Sequence, residues 1–117
     1  MPYMLNGELL EIEGEPRLQD GTLWVPLRKL GSVLGGKSDW LAENKVVALY
    51  LNDHIVTLTV GDQTADVDGE QFEMQAAPFV ESGETWVPVR LFERGLGYKL
   101  NADPQSGIVD LKMDAAV

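Results

Sequence analysis

The chain has 117 residues, 44% hydrophobic and 24% charged, with a formal net charge of −10. That length suits one domain with a modest core, and the acidity disfavours nucleic-acid backbones and anionic membrane surfaces as partners. There is no cysteine, which excludes disulfides, thiolate catalysis and cysteine-type zinc sites.

From the start, Tyr3–Leu5 reads as a short strand, and Asn6-Gly7 is a two-residue hairpin signal, since both turn positions need positive φ. Glu8–Glu13 should return as a second strand with Leu10 and Ile12 on one face, ended by Pro16, which lacks the ladder N–H. Asp20-Gly21 marks another turn, and Leu23–Val25 a short strand. Pro26 is expected at the first helical position, where its φ is already set. Leu27, Leu30 and Leu34 then fall at helical spacing, and Gly35 should stop the helix in an αL cap. Gly31 weakens that helix or lets it approach a strand closely. An extended piece, Lys37–Trp40, leads to the apolar strand Val46–Leu51. Asn52-Asp53 turns the chain into His54–Val60, which alternates cleanly, and Gly61-Asp62 starts the link onward.

The same order then recurs. Sliding the chain so that Trp24 falls on Trp86 aligns Leu5–Leu49 on Val67–Leu111 without a gap. Thr64–Val67, Asp68-Gly69, Glu70–Gln75 with Phe72 and Met74, Pro78, Ser82-Gly83 and Thr85–Val87 repeat the first half. So do Pro88 before Val89, Phe92 and Leu96, then Gly95, Gly97, Lys99–Ala102 and Ile108–Met113. The matches include Trp24/Trp86, Pro26/Pro88, Arg28/Arg90, Gly35/Gly97 and Val47/Val109. Glycines, prolines and core-type residues dominate them, and these carry geometry more often than chemistry. The expected fold class is therefore α+β. Antiparallel sheet and hairpins pack with two short helices, built from two tandem ββ(β)αββ units (about 5–52 and 67–114) with pseudo-twofold character in one domain, 1–117.

The stretch "GTLWVPLRKLGSVLGGKSDW" and its echo "GETWVPVRLFERGLGYKLNAD" resemble the bacterial stalk domain, also called the copper amine oxidase N-terminal-like domain. That family reads G-x-x-x-V-P-L-R, an amphipathic helix, Leu-Gly, an extended V-x-W-D and a strand, twice over. The family's Trp-Asp pair is Trp40-Leu41 in the first copy and Ala102-Asp103 in the second, so each copy keeps one half. The resemblance implies an antiparallel sheet against a helix and a non-catalytic accessory module, often on exported or cell-surface proteins. By resemblance, the oxidase chemistry belongs to another domain. Copper sites draw on imidazole, thiolate and thioether ligands, and this chain has one histidine, no cysteine and four methionines. The oxidase cofactor is made from a tyrosine after an asparagine, whereas Tyr3, Tyr50 and Tyr98 follow Pro2, Leu49 and Gly97. Neither copper nor any other cofactor is expected.

Other candidates have plainer readings. His54 opens a strand, away from any nucleophile or metal-ligand spacing. Asp62, Asp66, Asp68 and Glu70 miss the EF-hand spacing, and Asp68-Gly69 is explained as a hairpin turn. Arg28 and Arg90 would hold an anion beside a helix start, or form a salt bridge or stack on Trp24 and Trp86. The second alternative makes Arg28→Ala a stability variant. Trp24 and Trp86 should be at least half buried. Trp40 and Tyr98 break the repeat and are the candidates for ligand or partner contact. The structural motif is Trp24, Pro26, Arg28 and Gly35 with Trp86, Pro88, Arg90 and Gly97.

The function expected is a non-catalytic structural or interaction module meeting a protein or cell-wall partner. Alternatives are a carbohydrate- or peptidoglycan-binding module and a small cytosolic homodimer. No nucleic-acid binding or membrane insertion is expected, since no apolar run approaches the ~20 residues of a span. The opening "MPYMLNGELLEIEGE" lacks the basic flank and apolar centre of a signal segment, while the resemblance leans towards the cell envelope. Location, oligomeric state and ligand stay open.

Overall fold

The computed structural model describes residues 3–10, 12, 16–19, 21–41, 45–103 and 108–112. Four expectations lie outside them. These are the run of the second strand to Glu13, the Asp20 half of its turn, Met113, and the side chains of Ala102 and Asp103.

The first copy supplies β1 (Tyr3–Leu5), β2 (Glu8–Leu10), β3 (Arg17–Gln19), β4 (Thr22–Pro26), helix α1 (Leu27–Val33), β5 (Lys37–Leu41) and β6 (Val46–Leu51). After β7 (His54–Thr59), the second supplies β8 (Thr64–Val67), β9 (Glu70–Glu73), β10 (Phe79–Glu81) and β11 (Glu84–Pro88). A five-residue π-helical turn (Leu91–Gly95), β12 (Lys99–Asp103) and β13 (Ile108–Lys112) complete it. The α+β class holds. The turn chemistry holds too, with Asn6-Gly7 at φ 50 and 83 and Asp68-Gly69 at 54 and 89. Gly35 and Gly97 also stand at positive φ, as αL caps require.

Three details differ from expectation. Pro26 is not the first helical residue. It ends β4 and caps α1 with φ −76 and ψ 112, still extended, because it remains paired in the sheet with Trp86. The second helix is a π turn rather than an α-helix, and buries Leu91, Phe92 and Leu96 together. Strand β9 stops at Glu73, well before Pro78. Its ladder ends where Met74 N–H donates to the Gln63 carbonyl at 2.8 Å, and the Gln63 amide then bonds the Met74 and Gln75 carbonyls.

The strands form three sheets, ordered β12-β13-β1-β2, β10-β11-β4-β3 and β5-β6-β7-β8-β9. Among the described residues all pairings are antiparallel but one, β1 with β13, which runs parallel with Tyr3 beside Val109. The repeat explains this exception. Strands β6 and β8 correspond to β13 and β1, and they also run parallel, but with β7 inserted between them. Strand β7 is thus the element that breaks the twofold, and the first sheet closes directly where the third holds an extra strand. One hydrophobic cluster draws on both copies, including Val25, Leu27, Leu30, Val47 and Leu49 with Val87, Phe92, Val109 and Leu111. Helix α1 has only seven residues, too few to be stable alone. It is held on β11 and β5 by buried Leu27, Leu30 and Gly31.

Candidate functional site

In the sheet β10-β11-β4-β3 the two copies meet equivalent strand against equivalent strand. Strands β4 and β11 pair antiparallel with Val25 opposite Val87, Trp24 opposite Pro88 and Pro26 opposite Trp86. Val25 and Val87 are repeat partners, so the pseudo-twofold axis passes between them. The heptapeptides "TLWVPLR" and "ETWVPVR" are therefore each other's binding partner. On the core face Leu23, Val25, Thr85 and Val87 are buried, and on the other face Trp24 and Trp86 are only 7% and 5% exposed.

Each tryptophan is covered by the other copy, from equivalent positions. Phe79 meets Trp24 edge-on at 4.8 Å and stacks near Trp86 at 6.5 Å. Its counterpart Arg17 lies with its guanidinium 4.2 Å from the Trp86 ring centre, a cation–π contact. Arg17 then reaches Glu81 on the opposite edge strand as an ion pair. Both indole N–H groups are buried without a hydrogen-bond partner among the described residues.

Neither repeated arginine stacks on a tryptophan, because each has passed beyond the strand into the following turn. Exposed Arg28 donates from Nε to the Ser38 hydroxyl at 3.3 Å. Arg90 donates to Glu93 three residues on, at 3.0 Å. Beside Arg28 runs a groove of about 580 Å³, bounded by Lys29, Ser32 and Val33 of α1, Ser38 of β5, Ile12, and Gly83-Glu84 at the start of β11. Glu84 is only 7% exposed. Its Oε2 accepts the Thr85 N–H at 2.8 Å. Reasoning from sequence passed over Glu84, Ser32 and Ser38. The signal was present in the self-alignment, where Thr22, Arg94 and Leu100 stand opposite them.

Tyr98 is not surface. It is 4% exposed, because the chain turns inward after Gly97, and its hydroxyl accepts from the Asn52 side-chain amide at 2.9 Å. Burial pushes that phenol above its usual pKa, and the Asn52 bond opposes the shift. Trp40 is half-buried against the core. With Trp24 and Trp86 also buried, the four aromatics form no open platform. The acidic stretch 62–70 is spent on turns: Asp62 accepts the Thr64 N–H at 3.0 Å and Asp66 the Gly69 N–H at 2.8 Å. Asp68 accepts the Ile55 N–H at 2.8 Å and pairs with His54 Nδ1 at 2.5 Å.

The bond from His54, with that from Ile55, holds the Asp68 carboxyl below its ordinary pKa, and the bond from Arg17 does the same for Glu81. A lowered folded value means the unfolded chain binds protons more readily. The stabilisation is therefore complete above about pH 4.5 and is lost as pH falls through the folded values. Denaturant melts at successive pH values should show a shallower acid decline for Asp68→Asn with Glu81→Gln than for the parent.

The copper amine oxidase N-terminal domain matches residues 4–111, nearly the whole chain. The chain belongs to that family. No curated protein matches it. In the oxidase this N-terminal domain is non-catalytic. The family name raises copper, and the residues of this domain do not fit it. Imidazole and sulfur ligands suit copper, yet the single histidine is bonded to Asp68 in a turn. Among the described residues no three His, Cys, Asp or Glu side chains gather to hold a metal.

Proposed function

We propose that this domain is a structural and interaction module of a bacterial cell-envelope protein, one that meets a protein or cell-wall partner and performs no catalysis of its own. The use made of the copied residues supports this. Trp24, Val25 and Pro26, with Trp86, Val87 and Pro88, are spent on joining the two halves across their own axis. A chemical site kept in duplicate would retain reactive groups, whereas these retain packing and backbone direction. A surface for a partner is available on the outer face of the third sheet, where Leu41, Tyr50 and Ile55 are exposed. Carbohydrate stacking on the tryptophans has less support, since their faces are covered.

The test is an activity screen of the intact domain with amine substrates and added copper(II), and with ester and glycoside substrates. No turnover above the blank is expected. Turnover abolished by a single substitution in this chain would overturn the reading. Arg28 enters the same comparison. With one 3.3 Å bond among the described residues, at an exposed site, Arg28→Ala should melt within about 0.5 kcal/mol of the parent, as measured by urea denaturation.

A further inference from the structure

We propose that the outer face of the sheet β5-β6-β7-β8-β9 docks a segment of a partner protein in which apolar side chains stand next to a lysine or arginine. The apolar groups lie on a stripe along β6, and the cation enters an acidic hollow on β7 and β8. The inference rests on the reading of the domain as an interaction module and names the chemistry of the partner.

Register decides which residues share this face. Leu41 stands beside Val46, Tyr50 beside Ile55 and Ala48 beside Thr57, while Val47, Leu49, Val56 and Leu58 are buried on the opposite side. Leu41, Val46, Ala48, Tyr50 and Ile55 thus form one apolar stripe, in which Leu41, Tyr50 and Ile55 are 57%, 42% and 48% exposed. Scattered apolar residues on a surface need no explanation, but adjoining ones do. The second copy serves as an internal control. At the places of Leu41, Ala48 and Tyr50 it has Asp103, Asp110 and Lys112, on strands paired in the same register. One frame therefore carries charges where the other carries apolar groups, and the fold does not call for the stripe.

Next to the stripe lies a hollow of about 380 Å³, bounded by Thr57, Thr59, Thr64, Asp62, Asp66 and Gln71. It is rich in acceptors. Asp62 and Asp66 each receive one backbone N–H, at Oδ1, whereas a carboxylate has about four acceptor sites. Neither pairs with a lysine or arginine among the described residues. Asp66 stands opposite Thr57, and Thr57 opposite Ala48. Two strand spacings therefore separate the hollow's carboxylate from the stripe, about 10 Å, which three residues of extended chain cover. Charge then selects the occupant. Exposed Lys37 and Lys45 are outnumbered on this face and its turns by Asp39, Asp62, Asp66 and Glu73, also exposed. A second copy would bring one chain of net charge −10 onto another, which self-repulsion opposes. A neutral glycan offers the hollow no cation. A basic, apolar segment answers both parts of the face.

The test is an amide chemical-shift titration of the intact domain with a capped peptide that alternates serine with two leucines and then two arginines. Alternation puts the leucines and arginines on one side of an extended chain. Saturable shifts are expected at the Ala48, Tyr50, Thr57 and Asp66 amides, weakening as salt is added. Peptides with glutamate for arginine, or serine for leucine, should bind about tenfold more weakly or worse. So should the variants Tyr50→Lys and Asp66→Asn with the original peptide. Both positions are exposed, and the second copy already folds with Lys112 at the place of Tyr50. No saturable shift at those amides would overturn the proposal, as would equal affinity for the glutamate peptide or for Tyr50→Lys. Shifts there that grow with the domain's own concentration, or with chitotetraose and not with peptide, would give the face to a second copy or a glycan and overturn it too. A chain that neither docks the peptide nor turns over substrate loses this partner and keeps the module reading, whereas turnover removes the module reading itself.

Discussion

Trp86→Ala should lower the stability of the domain by about 3–5 kcal/mol, and Trp24→Ala by a similar amount. For a domain of this size that corresponds to a fall in Tm of roughly 15–30 °C, a large part of the whole stability of an ordinary domain. The size of the effect follows from position. Each indole is at least 93% buried, and each is covered by a residue of the other copy, Phe79 on Trp24 and Arg17 on Trp86. Removing either ring opens a cavity at the axis that joins the halves, where neither half can collapse without disturbing the other's strand. The near-equality of the two costs is the sharper part of the expectation. It comes from the register that sets Trp24 against Pro88 and Trp86 against Pro26, so a large asymmetry in urea melts would contradict the dyad. Trp86→Phe should recover most of the loss, because it keeps an aromatic surface and removes an N–H that is buried without a partner. Arg17→Ala should cost far less, since both Arg17 and Glu81 are well exposed and such pairs contribute about 1 kcal/mol or less.

What could be read in the sequence was local. Asn6-Gly7, Asp68-Gly69 and the capping Gly35 and Gly97 were legible because positive φ restricts the residue choice at those positions. The repeat was legible because its two copies share a single spacing. What could not be read depends on which segments meet. The pairing of β4 with β11 joins residues far apart, and no turn sets its register. The parallel pairing of β1 with β13 brings together strands from opposite ends of the chain. Arg17 belongs to no sequence motif and is one of nine Lys and Arg, and only the folded sheet shows it reaching over Trp86 to Glu81. Tyr98 was taken for surface because it breaks the repeat, yet it fills space that the first copy gives to Gly36. The two corners of one design also differ in charge and polarity at Thr22 against Glu84 and Leu100 against Ser38.

That same exchange, Gly36 for Tyr98, carries the second large effect. Gly36→Ala should destabilise the domain by at least about 3 kcal/mol, more than the commoner Gly31→Ala type of change. A methyl at residue 36 would stand 2.8 Å from the Tyr50 carbonyl oxygen, 3.0 Å from the Gly31 carbonyl and 3.2 Å from Leu51 Cβ. Two of these are backbone atoms, fixed by the β6 ladder and by the bond from Gly36 N–H to the Gly31 carbonyl, so no rotamer change relieves the contact. At Gly31 the first clash is with Leu49 Cδ1 at 2.7 Å, a side-chain methyl that can move, though within a full core. There the helix also gains about 1 kcal/mol from replacing glycine by alanine, so a net loss of about 1–2 kcal/mol is expected. Guanidinium melts of the two variants separate these mechanisms. If Gly36→Ala proves as mild as Gly31→Ala, α1 does not lie this close to β6, and the first corner is looser than its contacts indicate. If it is severe, the helix is seated against β6 by bare backbone at the very end of the turn that presents Arg28, Lys29 and Ser32 to the groove. The rigidity of that seat is then what keeps the three side chains in a constant relation to Glu84.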